Sequence, residues 1–279
     1  MTNFNNVRIF ADKIRLETCK EYITYGSGHI GGCMSIVDTL AVLFYDKMHI
    51  DPKNPDWDQR DYFTMSKGHA GPAYYATLAL KGFFPMDLLK TLNQDGAALT
   101  THSNHNLIPG ADCTTGSLGQ GASQAVGIAW GLKAQHKNNK VYCVIGDGEA
   151  NEGQVWEVVQ FARGKNLDNF VLFVDDNKKQ LDGAAEDINL HMDFENIFKA
   201  FGWHTQKING GDVEEISKAI DIANQTKGSP SVIILDTIKG KGIPYLETMA
   251  NCHHIVCDEN FIKEAKPLMD KWEAETYES

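Results

Sequence analysis

The chain has 279 residues, with 26 Lys+Arg against 37 Asp+Glu, a formal net charge of −11 and a hydrophobic share of 42%. That length allows one large α/β domain or two ordinary ones, and an acidic balance without a basic cluster excludes general nucleic-acid binding. No apolar run approaches the roughly 20 residues of a membrane span; with no visible signal peptide and six scattered cysteines, the expectation is a cytoplasmic protein with reduced thiols.

Val7, Phe10 and Ile14 predict an amphipathic helix that ends near Gly26-Ser27-Gly28. Ser35 and Asp38 suggest a capping box opening a second helix through Tyr45, with Asp in place of the usual Glu. Asp51 to Asp61 reads as a loop. Helices follow over Ala70 to Leu80 and, after Pro85, Met86 to Leu92. Gly96 to Gly121 is a long Gly/Thr/Ser-rich stretch of the kind that carries function. Beyond it, helices at 121–136, 155–165, 194–201 and 213–225 alternate with strands at 141–145, 170–174, 203–208 and 232–235. The strands are short, β-branched and nearly continuously apolar, as strands buried on both faces are. The fold class expected is α/β: a doubly wound, mainly parallel sheet with helices on both faces. No linker divides the chain, so residues 1–279 read as one domain.

The first chemical signal lies at two strand ends. Strand 141–145 runs into Gly146-Asp147-Gly148, and the next ends in Asp175-Asp176-Asn177, so Asn177 follows Asp147 by 177 − 147 = 30 residues. One strand–helix–strand unit of that length brings both side chains to the carboxyl edge of the sheet, where open α/β folds bind ligands. A carboxylate and an amide oxygen are hard ligands suited to magnesium, which shares its shell with phosphate oxygens. Adjacent glycines let backbone N–H groups approach a diphosphate. The run Cys252-His253-His254-Ile255-Val256-Cys257 is at most half a zinc site without a second ligand pair, and zinc is not expected.

These residues resemble the magnesium–diphosphate motif of thiamine diphosphate enzymes. Ser27-Gly28-His29-Ile30-Gly31-Gly32, Ser66-Lys67-Gly68-His69-Ala70, Thr115-Gly116-Ser117-Leu118-Gly119-Gln120-Gly121 and Lys239-Gly240-Lys241-Gly242 are similar to transketolase motifs, in transketolase order. The resemblance implies a diphosphate-binding domain in which Asp147, Asn177 and the backbone carbonyl of Lys179 hold Mg2+ (or Ca2+ or Mn2+) and Gly148 meets the diphosphate. It implies that Gly116, Ser117 and Leu118 line the rest of the thiamine diphosphate, and that Glu152 is a buried acid at the contact with a pyrimidine-binding half. His29, His69 and His102 match three active-site histidines, and His253 the fourth, with His254 beside it as the alternative. His29 and His253 would then move protons at the sugar, His102 would hold the donor, and His69 would sit nearer the cofactor.

The resemblance also implies the activity: transfer of a two-carbon ketol unit from a ketose, such as a sugar phosphate, to an aldehyde. A complete transketolase continues into pyrimidine-binding and C-terminal domains. The expectation is therefore the N-terminal subunit of a split transketolase, which works with a C-terminal partner subunit in an α₂β₂ assembly. Rival readings are a 1-deoxyxylulose-phosphate synthase relative, a 2-oxoacid dehydrogenase α subunit, or a non-catalytic scaffold. Asn93 and Ala98 stand where transketolases commonly carry arginines, the first of which contacts the substrate phosphate.

Overall fold

The computed structural model describes residues 2–277. The chain opens with α1 (Phe4–Tyr25), capped by the Asn3 side chain and closed by Gly26 at φ 100°. Then come a two-residue strand β1 (Ser27–Gly28), α2 (Ile30–Met34) and α3 (Val37–Val42), which runs into a π turn over Leu43–Lys47. Next are β2 (Tyr62–Met65), α4 (Gly71–Lys81) and a 3₁₀ turn over Met86–Thr91. The regular half comprises α5 (Gln120–Ala134), β3 (Val141–Gly146), α6 (Gly153–Gly164), β4 (Phe170–Asp176), α7 (Ala185–Ile188), α8 (Phe194–Ala200), β5 (His204–Asn209), α9 (Val213–Gln225) and β6 (Ser231–Asp236). It closes with α10 (Pro244–Thr248), β7 (Ile255–Val256) and α11 (Glu259–Tyr277).

Five strands form one parallel sheet in the order β2-β3-β4-β6-β5. The period-2 alternation divides its side chains between two cores. Tyr142, Val144, Val171, Phe173, Ile233 and Leu235 join the cluster that includes residues of α1, α3, α4, α9 and α11. Val141, Cys143, Ile145, Phe170, Leu172, Val174, Val232 and Ile234 join residues of α5, α6 and α8. Burial on both faces explains the continuous apolar runs, and each fully buried Val, Leu, Ile or Phe contributes about 1.5–3 kcal/mol.

Three expectations need correction. The Ser35–Asp38 capping box does not form: α3 begins after Ile36 without a side-chain cap. Ser35 Oγ instead donates to Asp175 at 2.7 Å, and Asp38 accepts from Arg15 and Lys241. The strand at 203–208 is an edge strand whose side chains are mostly half exposed, and Gln206, Lys207 and Asn209 keep that edge polar. The helix expected after Pro85 is a 3₁₀ turn. In addition, β2 emerges from the Asp-rich loop to pair with β3.

The register sets the site. Gly146 pairs with Asp175, and Asp176 with Asp236, so β3, β4 and β6 end level and release their following loops at one edge. A second, antiparallel pair, Ser27 with Val256 and Gly28 with Ile255, brings the segment bearing His29 beside that bearing His253.

Candidate active site

Asp147 leaves β3 buried, with Oδ1 accepting from Gly148 N at 2.7 Å and Oδ2 without a partner. Burial, then the neighbouring Asp175 carboxylate, push its pKa up to about 6. Asn177 leaves β4 with Nδ2 donating to Asp175 at 2.9 Å and Oδ1 accepting from Lys179 N at 3.2 Å. Lys239 Nζ donates to the Lys179 carbonyl at 2.9 Å, so this third expected oxygen already faces a cation. The same ammonium lies 3.1 Å from the Gln180 carbonyl and 3.1 Å from His253 Nδ1. Burial, then Lys67, push its pKa down to about 8.

Asp147, Gly148, Asn177, Lys179, Leu118, His69 and His253 share the wall of one cavity of about 200 Å³. Roomier hollows of about 530 and 520 Å³ meet around Lys241, whose ammonium is already bonded to Asp38 and Gly211. Neither is lined by any of the expected metal or cofactor residues.

His69 and His253 line that cavity, and His29 and His102 pack against them. His29 and His69 stack at 4.2 Å between ring centroids. His253 stands edge-on to both at 5.1 Å, and His102 lies 5.1 Å from His69. Burial, then the His69 ring, push His29 down to about 3. His69 falls to about 4 through burial and His102, and His253 to about 3 through burial and Lys239. His102 is lowered by burial. All four are therefore neutral imidazoles near pH 7. His29 Nδ1 and His102 Nε2 are buried without partners. His254 also meets the His29 edge, at 4.9 Å, but is exposed, whereas His253 lines the cavity.

Backbone contacts hold these rings in place. A Cβ on Gly31 would stand 2.3 Å from the Cys252 carbonyl oxygen, and the Gly240 amide donates to the Gly31 carbonyl at 2.9 Å. A Cβ on Gly68 would meet Gly116 and His102 at 3.0 Å, and Gly116 itself has φ +146°. Only glycine permits both approaches.

Gly116, Ser117 and Glu152, all expected at the cofactor, do not wall the cavity. Ser117 is exposed, although its carbonyl accepts from Gln120 N at 3.2 Å at the start of α5. Glu152 is exposed in this chain; the buried acid is Glu149, which accepts from Ser66 Oγ, Gly119 N and Gly146 N. Of the Cys252–Cys257 run, only His253 joins converging ligand atoms: its ring nitrogen lies within 4.8 Å of those of His29 and His69.

Lys67, Asp175 and Lys239 carry no role in the sequence reading. Lys67 and Lys239 lie inside quoted motifs and Asp175 two residues before Asn177, and that adjacency was the available signal. Burial acts against the Asp175 charge, but the Lys67 ammonium, with hydrogen bonds from Lys67, Thr237 and Ser35, holds its pKa below the usual carboxylate range. His191 Nε2 bonds Asp176 Oδ1 at 2.9 Å. At the expected arginine position, Asn93 exchanges hydrogen bonds with Thr101 at 3.0 and 3.2 Å.

An unpartnered carboxylate oxygen, an amide oxygen and a carbonyl at one sheet edge fit a hard divalent cation with a diphosphate, and the apolar Leu118 wall fits the cofactor's rings. Fold and site together define a thiamine diphosphate-binding α/β domain. The family profile described as "Transketolase, thiamine diphosphate binding domain" matches residues 7–278, and the chain belongs to the transketolase family. It is 46% identical to the 6-deoxy-6-sulfo-D-fructose transketolase subunit SqwG of a Clostridium species, over 94% of this chain and 95% of that protein. It is 35% identical to an apulose-4-phosphate transketolase subunit of Phocaeicola vulgatus, over 89% and 90%. Among solved structures it superposes on transketolases from Pichia stipitis and Campylobacter jejuni, each with a TM-score of 0.88 and 30% identity. These matches cover 95% and 99% of this chain but only 40% and 46% of those chains. No helix among the described residues is long and apolar enough to cross a membrane.

Proposed function

We propose that this chain is the diphosphate- and metal-holding subunit of a two-subunit transketolase, moving a two-carbon ketol unit from a ketose to an aldehyde. The observation that carries the reading is one cavity lined by three oxygen donors and by the neutral imidazoles of His69 and His253, with His29 and His102 packed against those rings. Asp147, Asn177 and the Lys179 carbonyl would hold the metal, and Gly148 would meet the diphosphate. When bound, thiamine diphosphate supplies the electron sink for breaking the bond between sugar carbons 2 and 3. His29, with Nδ1 unpartnered, and His253 would take and return the C3 hydroxyl proton, work that neutral imidazole performs near pH 7. His102 Nε2 would hold the donor oxygens, and His69, stacked on His29, would fix that ring.

A partner supplies the pyrimidine-binding half. Supporting this, Trp130 of α5 and Phe161 of α6 are exposed and packed edge to face at 6.0 Å. These helices begin just after Leu118 and Glu152, the loops expected at a shared cofactor. Burial of Glu152 then belongs to the assembled α₂β₂ state. For the donor, the uncharged Asn93 and Ala98 and the 46% identical relative named for 6-deoxy-6-sulfo-D-fructose support a modified ketose over an ordinary sugar phosphate. The test is ketose cleavage at saturating thiamine diphosphate and Mg2+, with the chain alone and mixed with the protein encoded beside it. The panel comprises 6-deoxy-6-sulfo-D-fructose, fructose 6-phosphate and xylulose 5-phosphate. Activity only in the mixture, with the sulfo sugar preferred, is expected; full turnover by the chain alone would overturn the two-subunit reading.

A further inference from the structure

Asp175 is fully buried and belongs to no expected ligand set, yet four segments of the site end on its carboxylate. Ser35 Oγ donates at 2.7 Å from the segment after His29, and Lys67 Nζ from the segment before His69. Thr237 Oγ1 donates from the segment before Lys239, and Asn177 Nδ2 donates at 2.9 Å. We infer that Asp175 is a positioning residue: as an acceptor-only carboxylate it fixes the Asn177 amide so that Oδ1, not Nδ2, faces the metal position opposite Asp147. This rests on the functional reading above.

An asparagine side chain is nearly symmetric in shape, and an NH₂ group cannot ligate a cation, so an unrestrained amide would present the wrong atom part of the time. Flipping it here would set Oδ1 against a carboxylate oxygen. The Asn177 Oδ1 bond to Lys179 N opposes the flip from the other side and ties the same choice to the Lys179 carbonyl. Lys67 balances the Asp175 charge within the protein, so the orienting group does not need the metal for its own compensation. Groups behind metal ligands typically change metal affinity 10–100-fold when removed.

The experiment measures Mn2+ affinity by electron paramagnetic resonance, at saturating thiamine diphosphate, on the chain with its partner. Two double variants are compared, Asp175→Leu/Lys67→Met and Asp175→Asn/Lys67→Met. Both lack the buried ion pair, so any direct loss from the lysine cancels between them; they differ in whether an oxygen acceptor faces Asn177. The leucine double variant should bind Mn2+ about 10–100-fold more weakly than the asparagine one, with similar melting temperatures. Equal Mn2+ affinity in the two would overturn the inference. If the leucine double variant does not fold, Asp175→Ala/Lys67→Met removes the acceptor without bulk and carries the same expectation. Absence of thiamine diphosphate-dependent Mn2+ binding in the wild-type pair would instead overturn the functional reading, and this inference with it.

Discussion

Replacing Asp147 with Asn separates what the site costs the fold from what it does for the cofactor. In the metal-free chain, burial and the Asp175 carboxylate raise the Asp147 pKa from 3.8 to about 6. A rise of about two units corresponds to about 3 kcal/mol between the two protonation states. Because the folded pKa lies above the unfolded one, this stability is fully present below pH 3.8 and is lost as pH rises through about 6. Asp147→Asn keeps the shape and never ionises. The metal-free variant should therefore match wild type near pH 4 and exceed it by up to about 3 kcal/mol at pH 7, or about 6–10 °C in Tm. Adding Mg2+ and thiamine diphosphate should reverse the order, since about 4.1 kcal/mol accrues to wild type at about 1,000 times Kd. Thermal melts from pH 4 to 8, with and without ligands, supply the measurement. Parallel pH curves for the two metal-free proteins would refute the electrostatic argument, and equal ligand-induced shifts would refute the ligand assignment.

His29→Ala should lower turnover with every substrate by roughly 10²–10⁴-fold, whereas His102→Ala should chiefly weaken donor capture; steady-state kinetics over several donor–acceptor pairs distinguish the two. Gly116→Ala, forced to φ +146° with its Cβ 3.2 Å from His102 Nδ1, should cost about 1–3 kcal/mol in a thermal melt and impair donor use as His102→Ala does. Glu21 is buried with neither carboxylate oxygen partnered, and burial holds its pKa well above 4.5. Its stabilising contribution is intact below pH 4.5 and lost as pH climbs toward the folded pKa, so Glu21→Gln should melt progressively higher than wild type as pH rises; a pH-independent gap would count against this.

The regular half of the fold was legible because its signals are local: continuous apolar runs of four or five residues, rich in β-branched side chains and separated by helical periodicity, mark buried strands. The strand end at Asp147 and its partner at Asn177 followed from spacing alone. The failures share a cause. Ser35 looks like a helix cap from its neighbours, but its hydroxyl is claimed by Asp175, 140 residues away. The Tyr62–Met65 strand has four residues and no turn signal behind it, and only its pairing with β3 marks it. Lys67 lies inside a motif and Asp175 two residues before Asn177, yet their importance lies in meeting each other, which no window of sequence displays. Glu149 is held within this chain by Gly146 and by Ser66 and Gly119, and no local window displays the last two.

The glycine contacts behind the histidines bear on how such an enzyme can diversify. At Gly31 and at Gly68 with Gly116, backbone meets backbone or ring with no room for a methyl group. The spacing of the imidazoles is thus written into the main chain and has little tolerance for mutational drift. The expected arginine positions are different: Asn93 meets Thr101 only through side chains and Ala98 is half exposed, while Leu181 on the cavity wall projects outward. New sugar preferences can accumulate at such positions one substitution at a time without disturbing proton transfer, leaving a conservative chemical centre inside an adaptable collar.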